Sequence, residues 1–97
     1  MFELMFTSQA DVDLREIETN PAKREVLRQV RKTLGLLETN LRHPSLQTHE
    51  FTSLRGPRGE KVLEAYVQQR TPGAYRVFWY YGPVRNQISI VSIIPHP

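Results

Sequence analysis

Between Gly59 and His96 the sequence alternates three apolar and aromatic runs with two turn signals, and no other stretch restricts the fold as much. The runs are Lys61–Gln68, Tyr75–Tyr81 and Ile88–Ile94; Thr71-Pro72-Gly73 and the stretch from Gly82-Pro83 to Asn86 divide them. Pro and Gly supply turn geometry and interrupt strands. The β-branched and aromatic residues that fill the runs suit a pleated, half-buried surface. This pattern predicts a three-stranded antiparallel meander. Few polar residues lie inside it, so each needs a reason.

Upstream, Phe2, Leu4 and Phe6 alternate with polar or smaller contacts and predict a short strand. Thr7 or Ser8 then offers a cap, and Ser8 with Asp11 fits the Ser/Thr-x-x-Asp/Glu signature of a helix start. Ala10, Leu14 and Ile17 recur at helical spacing, which carries a short helix to about Glu18. Asn20-Pro21 begins a second helix, with Asn as cap and Pro at the first position. Its apolar stripe runs through Val30, Leu34 and Leu37, while Arg24, Arg28, Arg31 and Lys32 form a basic band on other faces. Two readings of that band stand: an ordinary solvated face, or a track for phosphates or an acidic partner. Arg42 to Arg58 is the connection, long enough that part of it should be structured, and His49–Leu54 offers an extra short strand. A strand, an αα-hairpin and a meander leave no room for a βαβ unit. The expected fold is α+β, a small antiparallel sheet in the order β-α-α-β-β-β with the αα-hairpin on one face.

The chain of 97 residues is read as one domain, residues 1–97, large enough for a core without staples. It has no cysteine, which excludes disulfides and thiolate chemistry. No run reaches the roughly 18 apolar residues of a membrane span, and the N-terminus lacks the basic start of a signal peptide. The expectation is a cytoplasmic protein without a membrane partner. The first twenty residues carry five acids against one base, so the remainder holds most of the positive charge and favours an anionic partner. The histidines at 43, 49 and 96 lack metal-site spacing, so neither metal nor cofactor is expected. His43 and His49 are read as loop residues with local hydrogen bonds. No phosphate-loop or nucleophile-elbow motif is present.

The loop Arg42-His43-Pro44-Ser45-Leu46, continuing to His49-Glu50-Phe51-Thr52-Ser53-Leu54-Arg55-Gly56, and the strand Tyr75-Arg76-Val77-Phe78-Trp79 follow the short strand and αα-hairpin. Together they resemble the RelE/ParE superfamily of toxins from type II toxin–antitoxin systems, over nearly the whole chain. The resemblance implies a metal-free endoribonuclease that cuts ribosome-bound mRNA and is neutralised by a cognate antitoxin. The ParE side of the superfamily implies instead a protein that binds DNA gyrase without cutting RNA, and a non-toxic relative is a third reading. Arg76 matches the family's phosphate-binding arginine, and a bidentate, permanently charged guanidinium suits a phosphate dianion. His96 matches the C-terminal His or Tyr of the YoeB-like branch, the place of a general acid. Glu64 is the candidate base, by a looser match. The paired lysines that RelE carries on this strand are absent here.

Alternation places Glu64 and Tyr66 in phase on the first strand of the meander, Arg76, Phe78 and Tyr80 on the second, and Ile90, Ser92, Ile94 and His96 on the third. If these phases align, the acid, cation, hydroxyls and imidazole share one open face. Tyr66 and Tyr80 would stack on bases, and Arg28, Arg31 and Lys61 would meet the RNA backbone. The plainer reading is a cross-strand Glu64–Arg76 ion pair on a solvated face and a frayed His96.

Overall fold

In the computed structural model, which describes residues 1–96, Thr7 ends the first strand and opens the first helix. The strand is β1, Glu3–Phe6, and the helix is α1, Ser8–Thr19. The Thr7 hydroxyl accepts from the Ala10 amide at 3.1 Å. It thereby satisfies one of the amides that a helix start leaves bare. Asn20 does the same for a 3-10 turn at Pro21–Lys23, accepting from the Ala22 amide at 2.9 Å. That turn leads straight into α2, Arg24–Thr39. No helix among the described residues is long and apolar enough to cross a membrane.

A second 3-10 turn, Pro44–Leu46, precedes β2 (His49–Arg55), β3 (Lys61–Tyr66), β4 (Tyr75–Tyr81) and β5 (Gln87–Pro95). The five strands form one sheet in the order β1-β5-β4-β3-β2. The α+β architecture and the antiparallel meander β3-β4-β5 are present as expected, and the option of a strand at His49–Leu54 is realised as β2. The sheet is antiparallel except at one edge, where β1 lies parallel to β5 with Glu3 opposite Gln87 and Phe6 opposite Ile90. That pairing joins the two ends of the sequence, so no local signal announces it.

Val30, Leu34 and Leu37 of α2 and Ala10 and Ile17 of α1 pack on Ala65, Val77, Trp79 and the isoleucines of β5 in one core. Each large apolar side chain buried there contributes about 1.5–3 kcal/mol. This cluster therefore fixes which sheet face meets the helices.

The alternation expected of the last strand breaks at a bulge. Phe78 lies opposite Ser92, yet Trp79 lies opposite Ile90, so Val91 is an extra residue in β5. One inserted residue exchanges the faces of everything beyond it. Ile90 therefore turns into the helix-side core, whereas Ser92 and Ile94 face the other way. The expectation that Ile90 shares a face with Ser92, Ile94 and His96 is corrected here. Residues before the helix and within it hold the bulge. The Thr7 hydroxyl donates to the Val91 carbonyl at 2.9 Å, and the Ile93 amide donates to Asp13 Oδ2 at 3.0 Å. Beyond Phe6, where β1 ends, these side chains take over the hydrogen bonds that a longer strand would have made.

Candidate active site on the sheet face away from the helices

Glu64 sits in the middle of β3, opposite His49 of β2 and Phe78 of β4. Its side chain is 2% exposed. A buried carboxylate needs partners for both oxygens, and three elements supply them. His49 Nε2 lies 2.9 Å from Oε1, His96 Nδ1 lies 2.5 Å from Oε2, and Arg76 Nε lies 3.5 Å from the same Oε2. The two imidazoles are about half exposed. The cluster thus reaches the surface through its histidines while its acid stays dry.

Arg76 is held from several sides. Its guanidinium lies over the Tyr66 ring at 3.7 Å, the residue directly opposite on β3. Such stacking suits a planar guanidinium. Nη1 donates to the carbonyls of Gln68 at 2.7 Å, in the connection after β3, and Tyr75 at 3.0 Å, the first residue of β4. Nε is buried and makes no hydrogen bond within usual geometry, so Glu64 opposes its charge without closing the bond. Arg76 is 8% exposed, and its Nη2 makes no hydrogen bond among the described residues.

His96 is not frayed. Its amide donates to the Ala74 carbonyl at 2.8 Å, which extends the β4–β5 ladder by one bond. With Nδ1 on Glu64, its Nε2 is the ring nitrogen left for a ligand.

The structure brings together Glu64, Tyr66, Arg76 and His96 from the expected set and moves others away. Glu64 does not lie on an open face: β2 pairs along the outer side of β3, and both carboxylate oxygens are occupied. Its carboxylate meets the imidazoles and the guanidinium rather than open solvent. Tyr80 faces the same side but is 7% exposed, so its ring is not a stacking platform. Phe51 of β2 packs edge-on to Phe78 at 4.9 Å and makes this end of the face a small second core. Lys61 is exposed at the start of β3, opposite Arg55, where the hairpin turns away from Glu64. Arg28 and Arg31 are exposed on α2, in the layer that covers the other sheet face. Arg28 is tied to Glu25 one turn earlier, which raises its pKa and holds the Glu25 carboxyl below the usual carboxylate range. It borders a cleft of about 180 Å³ between α2 and the end of β3.

His49 is the member that sequence reasoning missed. The sequence presents it as a loop residue, because its partner lies fifteen positions away across a hairpin. One signal was available: folding the optional strand back over Gly56-Pro57-Arg58-Gly59 sets His49 near Glu64. No group of three or more His, Cys, Asp or Glu side chains among the described residues is arranged to hold a metal ion.

No protein-family model matches the sequence, and no curated protein matches it. Solved structures do. The YoeB/ParE toxin from Agrobacterium tumefaciens superposes with a TM-score of 0.71 at 8% identity, covering 99% of this chain and 100% of that one. A metal-bound toxin from Helicobacter pylori gives 0.69 at 20% identity, covering 99% and 96%. The toxin–antitoxin complex YoeB–YefM from Staphylococcus aureus gives 0.66 at 15% identity, covering 100% and 99%. At these identities the likeness is one of architecture, end to end: the chain has the fold of the YoeB, RelE and ParE toxins.

Proposed function

We propose that the protein is the toxin of a type II toxin–antitoxin pair and that it cleaves mRNA on the ribosome. One observation carries this reading: Glu64 holds an imidazole on each oxygen, beside an arginine stacked on Tyr66 with one edge free. The fold supports no more than the class, because one fold hosts several activities. The side chains supply the chemistry.

Arg76 offers Nη2 to a non-bridging phosphate oxygen, where its charge meets the charge that builds up in the transition state. The 2′ oxygen of the preceding ribose attacks phosphorus, forms the O–P bond and releases its proton to water. His96 delivers a proton from Nε2 to the 5′ oxygen as the P–O5′ bond breaks. Glu64 accepts a hydrogen bond from the Nδ1–H of His96, which sets the tautomer and the ring direction. Tyr66 backs the arginine and presents its edge to a base. Messenger RNA and the ribosome are the proposed partners, in the cytoplasm. A cognate antitoxin is the proposed inhibitor, on the ground that the S. aureus neighbour was solved with its own.

Induction of the protein alone in a bacterial host, with growth and primer extension on an abundant mRNA followed together, tests the reading. Arrest with new cuts inside translated codons is the expected result, and Arg76→Ala at equal expression abolishes both. Arrest without cuts, accompanied by loss of gyrase supercoiling activity, transfers the protein to the ParE-like reading.

A further inference from the structure

β3 runs on past the start of β2, and a cleft opens where it does. The last pair between the two strands is His49 opposite Glu64, so β2 leaves Tyr66 unpaired on that side. The helix layer takes over there: the Thr33 hydroxyl of α2 donates to the Tyr66 carbonyl at 3.1 Å. The cleft of about 180 Å³ lies between α2, this strand end and the Pro44–Leu46 turn. Tyr66 is one of its walls, and the Arg76 guanidinium lies over the ring of the same residue. Gln69 is another, next in the chain to Gln68, whose carbonyl accepts from Arg76 Nη1. The cleft therefore adjoins the candidate active site around the edge of β3. Its helix residues take no part in the cleavage steps.

The lining of the cleft is cationic. Arg28 and Lys32, one helical turn apart on α2, both border it, and no carboxylate does. Arg28 is already paired with Glu25, whereas exposed Lys32 makes no ion pair among the described residues. Beside them, Gln29 Oε1 is buried and has no hydrogen-bond partner among the described residues. Such an atom calls for a reason, and an amide not tied through its oxygen can turn to donate from Nε2. An unpaired ammonium and amide donors, in a concave place that no acid neutralises, favour an anion.

We propose that this cleft is a second phosphate subsite for RNA. Lys32 and the side-chain amides of Gln29 and Gln69 hold a phosphate that neighbours, along the same strand, the one at Arg76, and Tyr66 stands between the two. The proposal rests on the reading of RNA as substrate. A polynucleotide suits the arrangement because it carries a phosphate at every nucleotide, so one strand supplies an anion to each side of Tyr66. No bond forms or breaks in the cleft. Its contact is with the backbone, so it sets the register of the strand and reads no sequence.

NMR titration of isotope-labelled wild-type protein with a short single-stranded RNA tests the subsite, the RNA being 2′-O-methylated so that the attacking oxygen is blocked. The side-chain amide signals of Gln29 and Gln69 are expected to move together with the guanidinium signals of Arg76. Movement at Arg76 alone, or no binding, overturns the proposal. So does a cleft that an acidic peptide fills and RNA does not. A second arm follows RNA affinity against salt, with circular dichroism to show that each variant folds. Lys32→Ala is expected to reduce the slope of log K against log salt by about 0.7, the value for one phosphate contact on a single strand. Arg85→Ala removes the same charge from the exposed turn between β4 and β5 and is expected to leave the slope unchanged. Equal losses in the two variants would mean diffuse attraction and no subsite. Binding needs no cleavage: RNA held in the cleft by a protein that leaves ribosome-bound mRNA intact sinks the ribonuclease reading alone. Cut mRNA with an empty cleft sinks the subsite alone.

Discussion

Asp13 and Glu64 are the two buried carboxylates among the described residues, and their partners separate structure from chemistry. Asp13, on α1, accepts from the Gln9 side-chain amide at 2.8 Å and from the Ile93 backbone amide at 3.0 Å. Neither donor titrates; the Ile93 amide is buried, and Gln9 is exposed. Glu64, on β3, takes two half-exposed imidazoles and a guanidinium. Its partners carry charge or can acquire it, and the imidazoles reach the surface. Burial makes each acid depend on its partners. What the partners are decides whether the acid pins a strand or arranges a site.

His96 is where the contrast breaks most sharply. His96→Ala is expected to slow RNA cleavage by about 10²- to 10⁴-fold, the range of a lost general acid, with an unchanged circular dichroism spectrum. Asp13→Asn, whose side-chain oxygen still accepts from Ile93, is expected to keep the wild-type rate. Equal losses in the two variants would erase the distinction between the acids.

Glu64→Ala leaves the Arg76 guanidinium buried without its counter-charge. Breaking a buried pair by removing one partner costs about 3–5 kcal/mol, and urea denaturation reads it directly. The half-exposed histidines regain water and add little to that cost. Asp13→Ala orphans the buried Ile93 amide, which costs about 1–3 kcal/mol. A thermal melt should show it as a clear fall in Tm, with the rate per folded molecule intact. A larger loss from Asp13→Ala than from Glu64→Ala would reverse the ranking.

The smallest effect belongs to an exposed carboxylate. The Arg28 guanidinium holds the Glu25 carboxyl below its usual range. A depressed folded pKa means that the pair's contribution is present above the unfolded value and lost as pH falls through the folded one. Both side chains are exposed, so solvent screens the pair. Glu25→Gln is expected to leave the melting curve unchanged at neutral and at acid pH.

The meander, both helices, the Thr7 cap and the helix-side core were legible in the residues, whereas Asn20, expected to cap the second helix, caps the 3-10 turn before it. Those signals are local: alternation in Tyr75–Tyr81, helical spacing through Val30, Leu34 and Leu37, Pro and Gly at the turns. Arg76 and Tyr66 were also legible as members of one face by alternation, but the cross-strand partner expected for Arg76 was Glu64, whereas the register sets Arg76 opposite Tyr66 and Glu64 opposite Phe78. Three features came only from assembly. Val91 enters β5 as a bulge because Thr7 and Asp13, some eighty residues away, bind the backbone on either side of it. Glu64 is buried because β2 pairs along the outer side of β3, which an optional strand in a long connection did not settle. His49 and His96 meet on that one carboxylate from the second strand and the chain's tail, a convergence that neither neighbourhood encodes. Periodicity decides which face a side chain takes within its own strand. Whether that face stays open, and what stands across from it, depends on contacts between distant segments, and these form only when the sheet closes.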